Sequence, residues 1–263
     1  MKTNQLYLLL STALIMLCNA CKKEDNFLYK GDILPVSITG YNASSEYLLV
    51  KLDTFSFKSE LSPNTMINLS DAYTFWGDQE KVNLTISEKS TGKKVLERAL
   101  KKSDGPTTVN LFYMNGEVSE LPQKPSVEEG KNSVIYMFKP TITKYSGAVD
   151  IALGKFYVTP RVFEELGRIK NLKANEFSAA LTVPSFSTAA GQLYNGQATS
   201  VSFRARIYKA GTNELYTEGS AYTWNVLSST APLPPASSSA SKLYIFEEAP
   251  SGVNMLFTKK LEL

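Results

Sequence analysis

Val201-Ser202-Phe203-Arg204-Ala205-Arg206-Ile207 decides the fold class, because apolar and polar side chains alternate along it with a period of two. Successive side chains of a strand point to opposite faces, so Val201, Phe203, Ala205 and Ile207 share one face and Ser202, Arg204 and Arg206 the other. One face belongs in a core and the other in water, the pattern of an antiparallel sheet in a sandwich. The same alternation recurs at Leu48, Val50 and Leu52, at Val82, Leu84 and Ile86, at Val109, Leu111 and Tyr113, and at Val149, Ile151 and Leu153. Val134, Ile135, Tyr136, Met137 and Phe138 are apolar without a break, which suits a strand buried on both faces.

Between residues 114 and 133 the apolar pattern lapses, and Asn115-Gly116, Pro122, Pro125 and Glu128-Glu129-Gly130 interrupt regular structure. The expected organisation is a first β-sandwich domain over residues 33–115, a linker over 116–132, and a second β-sandwich domain over 133–263. Residues 160–172 alone read as a short helix. Pro160 suits a first helical turn, and Val162, Phe163, Leu166 and Ile169 form one stripe. Residues 228–241, with Pro232, Pro234, Pro235 and repeated Ser, read as a solvated loop. Val82, Leu84, Ile86, Gly92 and Leu96 are echoed by Val201, Phe203, Ala205, Gly211 and Leu215. Duplication and the shared demands of hairpin geometry both account for this strand–turn–strand unit.

Composition excludes several chemistries. The 28 basic and 25 acidic residues nearly cancel, so charge points to neither nucleic acid nor anionic lipid as a partner. There is no histidine, so no Ser-His-Asp or Cys-His arrangement can be built and no imidazole can ligate a metal. Both cysteines, Cys18 and Cys21, precede the first strand pattern, so the folded part has no disulfide, thiolate nucleophile or thiolate metal site. Paired carboxylates, Lys or Tyr would have to carry any catalysis. Glu164 and Glu165, on a helix, would diverge by about a quarter turn and could not flank one scissile bond. Glu247 and Glu248 alternate across a strand and fail for the same reason. Arg98, Lys101 and Lys102 polarise a return strand or its turn. No calcium loop, phosphate-cradling glycine loop or metal-ligand spacing is legible. A non-catalytic protein without cofactor or metal is expected.

At the N-terminus, Met1-Lys2 supplies a small positive region and residues 6–17 an apolar stretch too short to span a bilayer. Ala20 then precedes Cys21. This segment resembles a bacterial lipoprotein leader. The resemblance implies removal of residues 1–20, acylation of Cys21 as the first mature residue, and a flexible tether over residues 21–32. Several acyl chains would make the membrane attachment stable where one would be marginal. Lys23-Glu24-Asp25 resembles the acidic export signal of Bacteroidetes lipoproteins, which implies an outer-membrane protein facing the cell exterior. Tyr41-Asn42-Ala43-Ser44, the strand over 48–52 and the unit around Gly92 resemble the tandem immunoglobulin-like or transthyretin-like modules of Bacteroidetes surface lipoproteins. That resemblance covers residues 33–115 and, more loosely, 131–263. The expected fold is therefore mainly β: two antiparallel immunoglobulin-like β-sandwich domains in tandem, with one short helix in the second. Such modules serve many functions and imply none by themselves.

Trp76 is the best candidate for ligand binding. In Tyr73-Thr74-Phe75-Trp76-Gly77-Asp78, period two turns Tyr73 and Phe75 inward and Trp76 outward, beside a turn. An exposed indole next to Asp78 and Gln79 can stack on a sugar ring while the polar groups bond its hydroxyls. The plainer alternative is a Trp packed on a neighbouring strand or domain. Tyr222 and Trp224 share one face and read as core. Two functions follow as expectations. One is a lipid-anchored surface protein that binds a glycan or a protein partner or has a structural role. The other is an accessory glycan-binding lipoprotein of an outer-membrane carbohydrate uptake system.

Overall fold

The computed structural model describes residues 32–263. The leader, Cys21 and the Lys23-Glu24-Asp25 signal lie outside the described residues. The strands of the first half are β1 (Ile33–Asn42), β2 (Leu48–Leu52), β3 (Phe55–Ser56), β4 (Thr65–Thr74), β5 (Lys81–Glu88), β6 (Lys94–Lys101), β7 (Thr107–Met114) and β8 (Glu117–Ser119). They form two sheets, ordered β4-β1-β7-β8 and β3-β2-β5-β6. The alternating residues do what their period requires: Leu34, Val36 and Ile38 of β1 meet Leu48, Val50, Leu84 and Ile86 of the opposite sheet in one core.

The second half contains β9 (Lys131–Lys139), β10 (Val149–Tyr157), β11 (Val162–Leu172), β12 (Leu181–Pro184), β13 (Gln192–Tyr194), β14 (Gln197–Thr199), β15 (Val201–Lys209), β16 (Ala240–Glu248) and β17 (Phe257–Glu262). Its sheets are ordered β12-β9-β16-β17 and β11-β10-β15, with β13 and β14 as a separate hairpin. The strand orders of the two halves correspond, with β9 in the place of β1, β16 in that of β7 and β15 in that of β5. Val82, Leu84 and Ile86 thus sit on the strand equivalent to the one bearing Val201, Phe203 and Ala205.

One sheet of each half is mixed, while the opposite sheets, β3-β2-β5-β6 and β11-β10-β15, are antiparallel as expected. β1 pairs in parallel with β7, and β9 with β16. In each half the chain between the parallel partners visits the opposite sheet and also lays one strand, β4 or β12, on the far side of β1 or β9, the long crossover that parallel pairing needs. The expected helix is also corrected. Residues 162–172 are strand β11, paired antiparallel with β10, and among the described residues a three-residue 3₁₀ turn at Lys102–Asp104 is the helical element. The proline-rich loop is packed, not solvated: Ser229 and Ala231 are buried. Tyr136 Oη donates to the Pro232 carbonyl, Asn132 Nδ2 to that of Pro235, and the Ala205 amide to Thr230 Oγ1.

A third apolar cluster joins the halves. Tyr41, Ala43 and Phe112 of the first lie against Ile135, Met137, Leu243, Ile245 and Leu261 of the second. β9 and β16 are consequently buried on both faces, as the unbroken apolar run from Val134 to Phe138 leads one to expect. Val134, Tyr136 and Phe138 enter the core of their own half, while Ile135 and Met137 enter the junction.

Candidate functional site

The segment after β4 places the aromatic candidate. Tyr73 and Phe75 pack into the first core and Trp76 is 66 % exposed, as the alternation requires. The Gln79 amide donates to the Trp76 carbonyl across the turn (3.1 Å), and Gly77 takes the left-handed conformation there (φ 56°). Asp78 is exposed. Gln79 is engaged within the fold: its Oε1 accepts from Tyr73 Oη at 3.0 Å, and its Nε2 donates to the Lys81 carbonyl at 3.1 Å and to Asp53. Of the three residues, Trp76 and Asp78 are the two presented outward. They lie beside the start of β1, where the Phe75 amide donates to the Asp32 carbonyl.

A second site lies at the other end of the same sheet. The outward rows of β4, β1 and β7 bring together Asn68, Thr39 and Asn110, then Ser70, Ser37 and Thr108. Thr39 Oγ1 donates to Asn110 Oδ1 at 2.7 Å, and the Ser37 and Ser70 hydroxyls bond at 2.9 Å. These six side chains carry no charge. The corresponding face of the opposite sheet instead sets Lys51, Thr85 and Glu97 in one row and pairs Lys81 with Lys101. The uncharged rows run into a cleft of about 660 Å³ between the halves. Thr39, Asn68 and Asn110 contribute its polar side, and Phe112, Leu121 and Leu261 its apolar side. Gly40 lets β1 close on β7 beneath it: φ is 132°, and a Cβ there would lie 2.0 Å from the Leu111 carbonyl oxygen. Glu120 supplies the one side-chain carboxylate among the lining residues, so paired-carboxylate chemistry is not assembled in the cleft.

Beside the cleft, Tyr41, the row partner of Met66, belongs to a polar cluster across the junction. Tyr41 Oη donates to Asn64 Oδ1 at 2.7 Å, and Asn64 Nδ2 donates to Glu247 Oε2 at 2.7 Å. Lys139 Nζ donates to the same Asn64 Oδ1 at 2.5 Å and to the Ala43 carbonyl at 3.2 Å. Burial, and secondarily the Glu247 charge, pushes the Tyr41 phenol well up, so it remains a donor. Burial pulls the Lys139 amine below the usual lysine range, against the opposing pull of Glu247. Sequence reasoning missed this cluster and the cleft. The available signals were a lysine closing the apolar run of β9 and the uncharged alternation Ser37, Thr39 and Thr108, Asn110.

The conspicuous acidic pairs have structural duties. Arg168 holds Glu165 through two nitrogens, and Tyr157 Oη donates to Glu164 at 2.7 Å. Glu248 accepts from the Ile142 and Thr143 amides, each at 2.7 Å. Among the described residues, no group of three or more His, Cys, Asp or Glu is placed to hold a metal ion, and no helix is long and apolar enough to cross a membrane.

No family model matches the chain, and no curated protein matches it. Among solved structures it is similar to a candidate adhesin from Bacteroides ovatus, at 9% identity and a TM-score of 0.25, over 87% of this chain and 92% of that one. A candidate cell adhesion protein from Bacteroides ovatus aligns at 10% identity and a TM-score of 0.17, over 87% of this chain and 96% of the other. At such scores these alignments carry no argument about this chain.

Proposed function

We propose that the chain is a non-catalytic binding protein, anchored by lipid on Cys21 to the bacterial outer membrane and displayed outward, whose cleft between the halves receives an uncharged glycan. The uncharged hydroxyl and carboxamide rows that run into an apolar-walled cleft carry this reading. A neutral sugar chain needs donors and acceptors without charge for its hydroxyls, and apolar walls for its C–H faces. The second reading, favoured by the 66 % exposure of Trp76, puts the glycan on the indole and Asp78 at the tether end. Those two sites lie at opposite ends of β4, so single substitutions separate them. Titration calorimetry with neutral and acidic oligosaccharides tests both. Under the first reading Asn110→Ala weakens neutral-glycan binding about tenfold, the effect of losing one hydrogen bond of roughly 1.4 kcal/mol, while Trp76→Ala leaves it unchanged. Loss of binding in Trp76→Ala alone moves the site to the turn. Binding that neither substitution alters refutes both.

A further inference from the structure

Lys139 and Glu247 are directly opposed on the parallel strands β9 and β16, both on the face turned to the first half. Asn64 meets them from the first half, at the turn before β4. Lys139 is only 8 % exposed. Its Nζ lies 2.5 Å from the Asn64 side-chain oxygen, and the Glu247 carboxylate holds the side-chain nitrogen of the same amide. Tyr41 Oη bonds the amide oxygen. An amine, a carboxamide, a donor on the carboxamide oxygen and a carboxylate at its nitrogen are the components of an acyl transfer.

We propose that Lys139 and Asn64 condense to an intramolecular isopeptide bond that joins the two halves covalently. The lone pair of Lys139 Nζ forms a bond to Asn64 Cγ, and negative charge develops on Oδ1, where the Tyr41 hydroxyl stabilises it. Bond formation draws the attacking nitrogen onto the same carbon as Nδ2, and Glu247, hydrogen-bonded to Nδ2 at 2.7 Å, then relays a proton from the former to the latter. The Cγ–Nδ2 bond then breaks and ammonia leaves. Neither an oxidant nor a second substrate is required: amine and carboxamide give a secondary amide and ammonia. Burial disfavours the charged ammonium and so favours the nucleophilic form of Lys139. Lys260 Nζ lies 3.1 Å from the other Glu247 oxygen and fixes the carboxylate's position beside the amide. The inference is independent of what the cleft binds.

The test is a tryptic peptide map of the full chain, purified and held folded at neutral pH. The expected product is a branched peptide joining the segments that contain Asn64 and Lys139, lighter than their sum by one ammonia. Lys139→Arg keeps the charge but lacks the nucleophile, and should yield only linear peptides with its strand content intact by circular dichroism. Glu247→Gln should slow the linkage at least tenfold. A protease site placed within residues 121–129 gives a second readout. After cleavage the halves should stay joined in denaturant, and residues 32–263 contain no cysteine that could join them otherwise. Folded wild-type chain giving both linear peptides at full mass, with halves that separate in denaturant, overturns the proposal. Equal linkage rates in wild type and Glu247→Gln overturn the role given to Glu247.

Discussion

Ile245→Ala is the most direct probe of the junction. Ile245 is fully buried in the apolar cluster shared by the halves, on a strand hydrogen-bonded on both sides by β9 and β17. The substitution removes three carbons, about 2.4 kcal/mol at roughly 0.8 kcal/mol per buried methylene. Two flanking strands hold the backbone in register, so the site cannot collapse fully and a cavity term adds about 1 kcal/mol. The expected cost is about 3–4 kcal/mol, a large share of the roughly 5–15 kcal/mol that stabilises a folded domain. Urea unfolding followed at Trp76 and Trp224 resolves where the loss falls, because the first lies in one half and the second packs on the core of the other. Both reporters should shift, since Ile245 shares one cluster with Tyr41 and Phe112 of the first half and Met137 of the second. A fall below about 1 kcal/mol, or a shift at Trp224 alone, would refute a shared packed junction.

Other outcomes follow from single features. Gly40→Ala should destabilise by about 3 kcal/mol or more, since a Cβ would press on the Leu111 carbonyl at 2.0 Å and the backbone is left-handed; thermal melting measures it. Tyr113 Oη and Thr91 Oγ1 both donate to Glu88, which holds its carboxyl below the ordinary glutamate range. Its stabilisation is present above the unfolded pKa of about 4.3 and is lost as pH falls through the lower folded value, so Glu88→Gln should flatten that part of the stability–pH profile. Trp76→Ala should change the melting temperature little, because the indole is 66 % exposed; a fall matching a core truncation of about 3–5 kcal/mol would contradict that. Cys21→Ala should release the protein from membranes, and replacing Glu24 and Asp25 with Ala should leave it lipidated but shielded from protease added to intact cells. Limited proteolysis should cut first within residues 120–130, between β8 and β9.

Period-two alternation made the strands legible because each has one face in a core, as Val82, Leu84 and Ile86 do. It failed at β11, where two irregularities in the pairing with β10 each add a residue to β11. The inward positions there become Leu166, Ile169 and Leu172, spaced by three, and a strand with such bulges imitates a helical stripe. The parallel pairings join strands far apart in the chain, and no local pattern encodes them. Trp76 could be placed from its neighbours' alternation. The Lys139–Asn64–Glu247 cluster could not, because it assembles only when the two halves meet.

β9 and β16 belong to two cores at once, which favours closure of the first half before the second. The first half emerges earlier from synthesis and brings Tyr41, Ala43 and Phe112, flanked by Met114 and Leu121, to the junction. The second half lays down a sheet whose residues Ile135, Met137, Leu243, Ile245 and Leu261 have no cover of their own. A finished first half would then serve as the template on which the later sheet closes. Chains truncated before residue 131 should therefore stay in solution better than the second half made alone, whose uncovered apolar face is the larger.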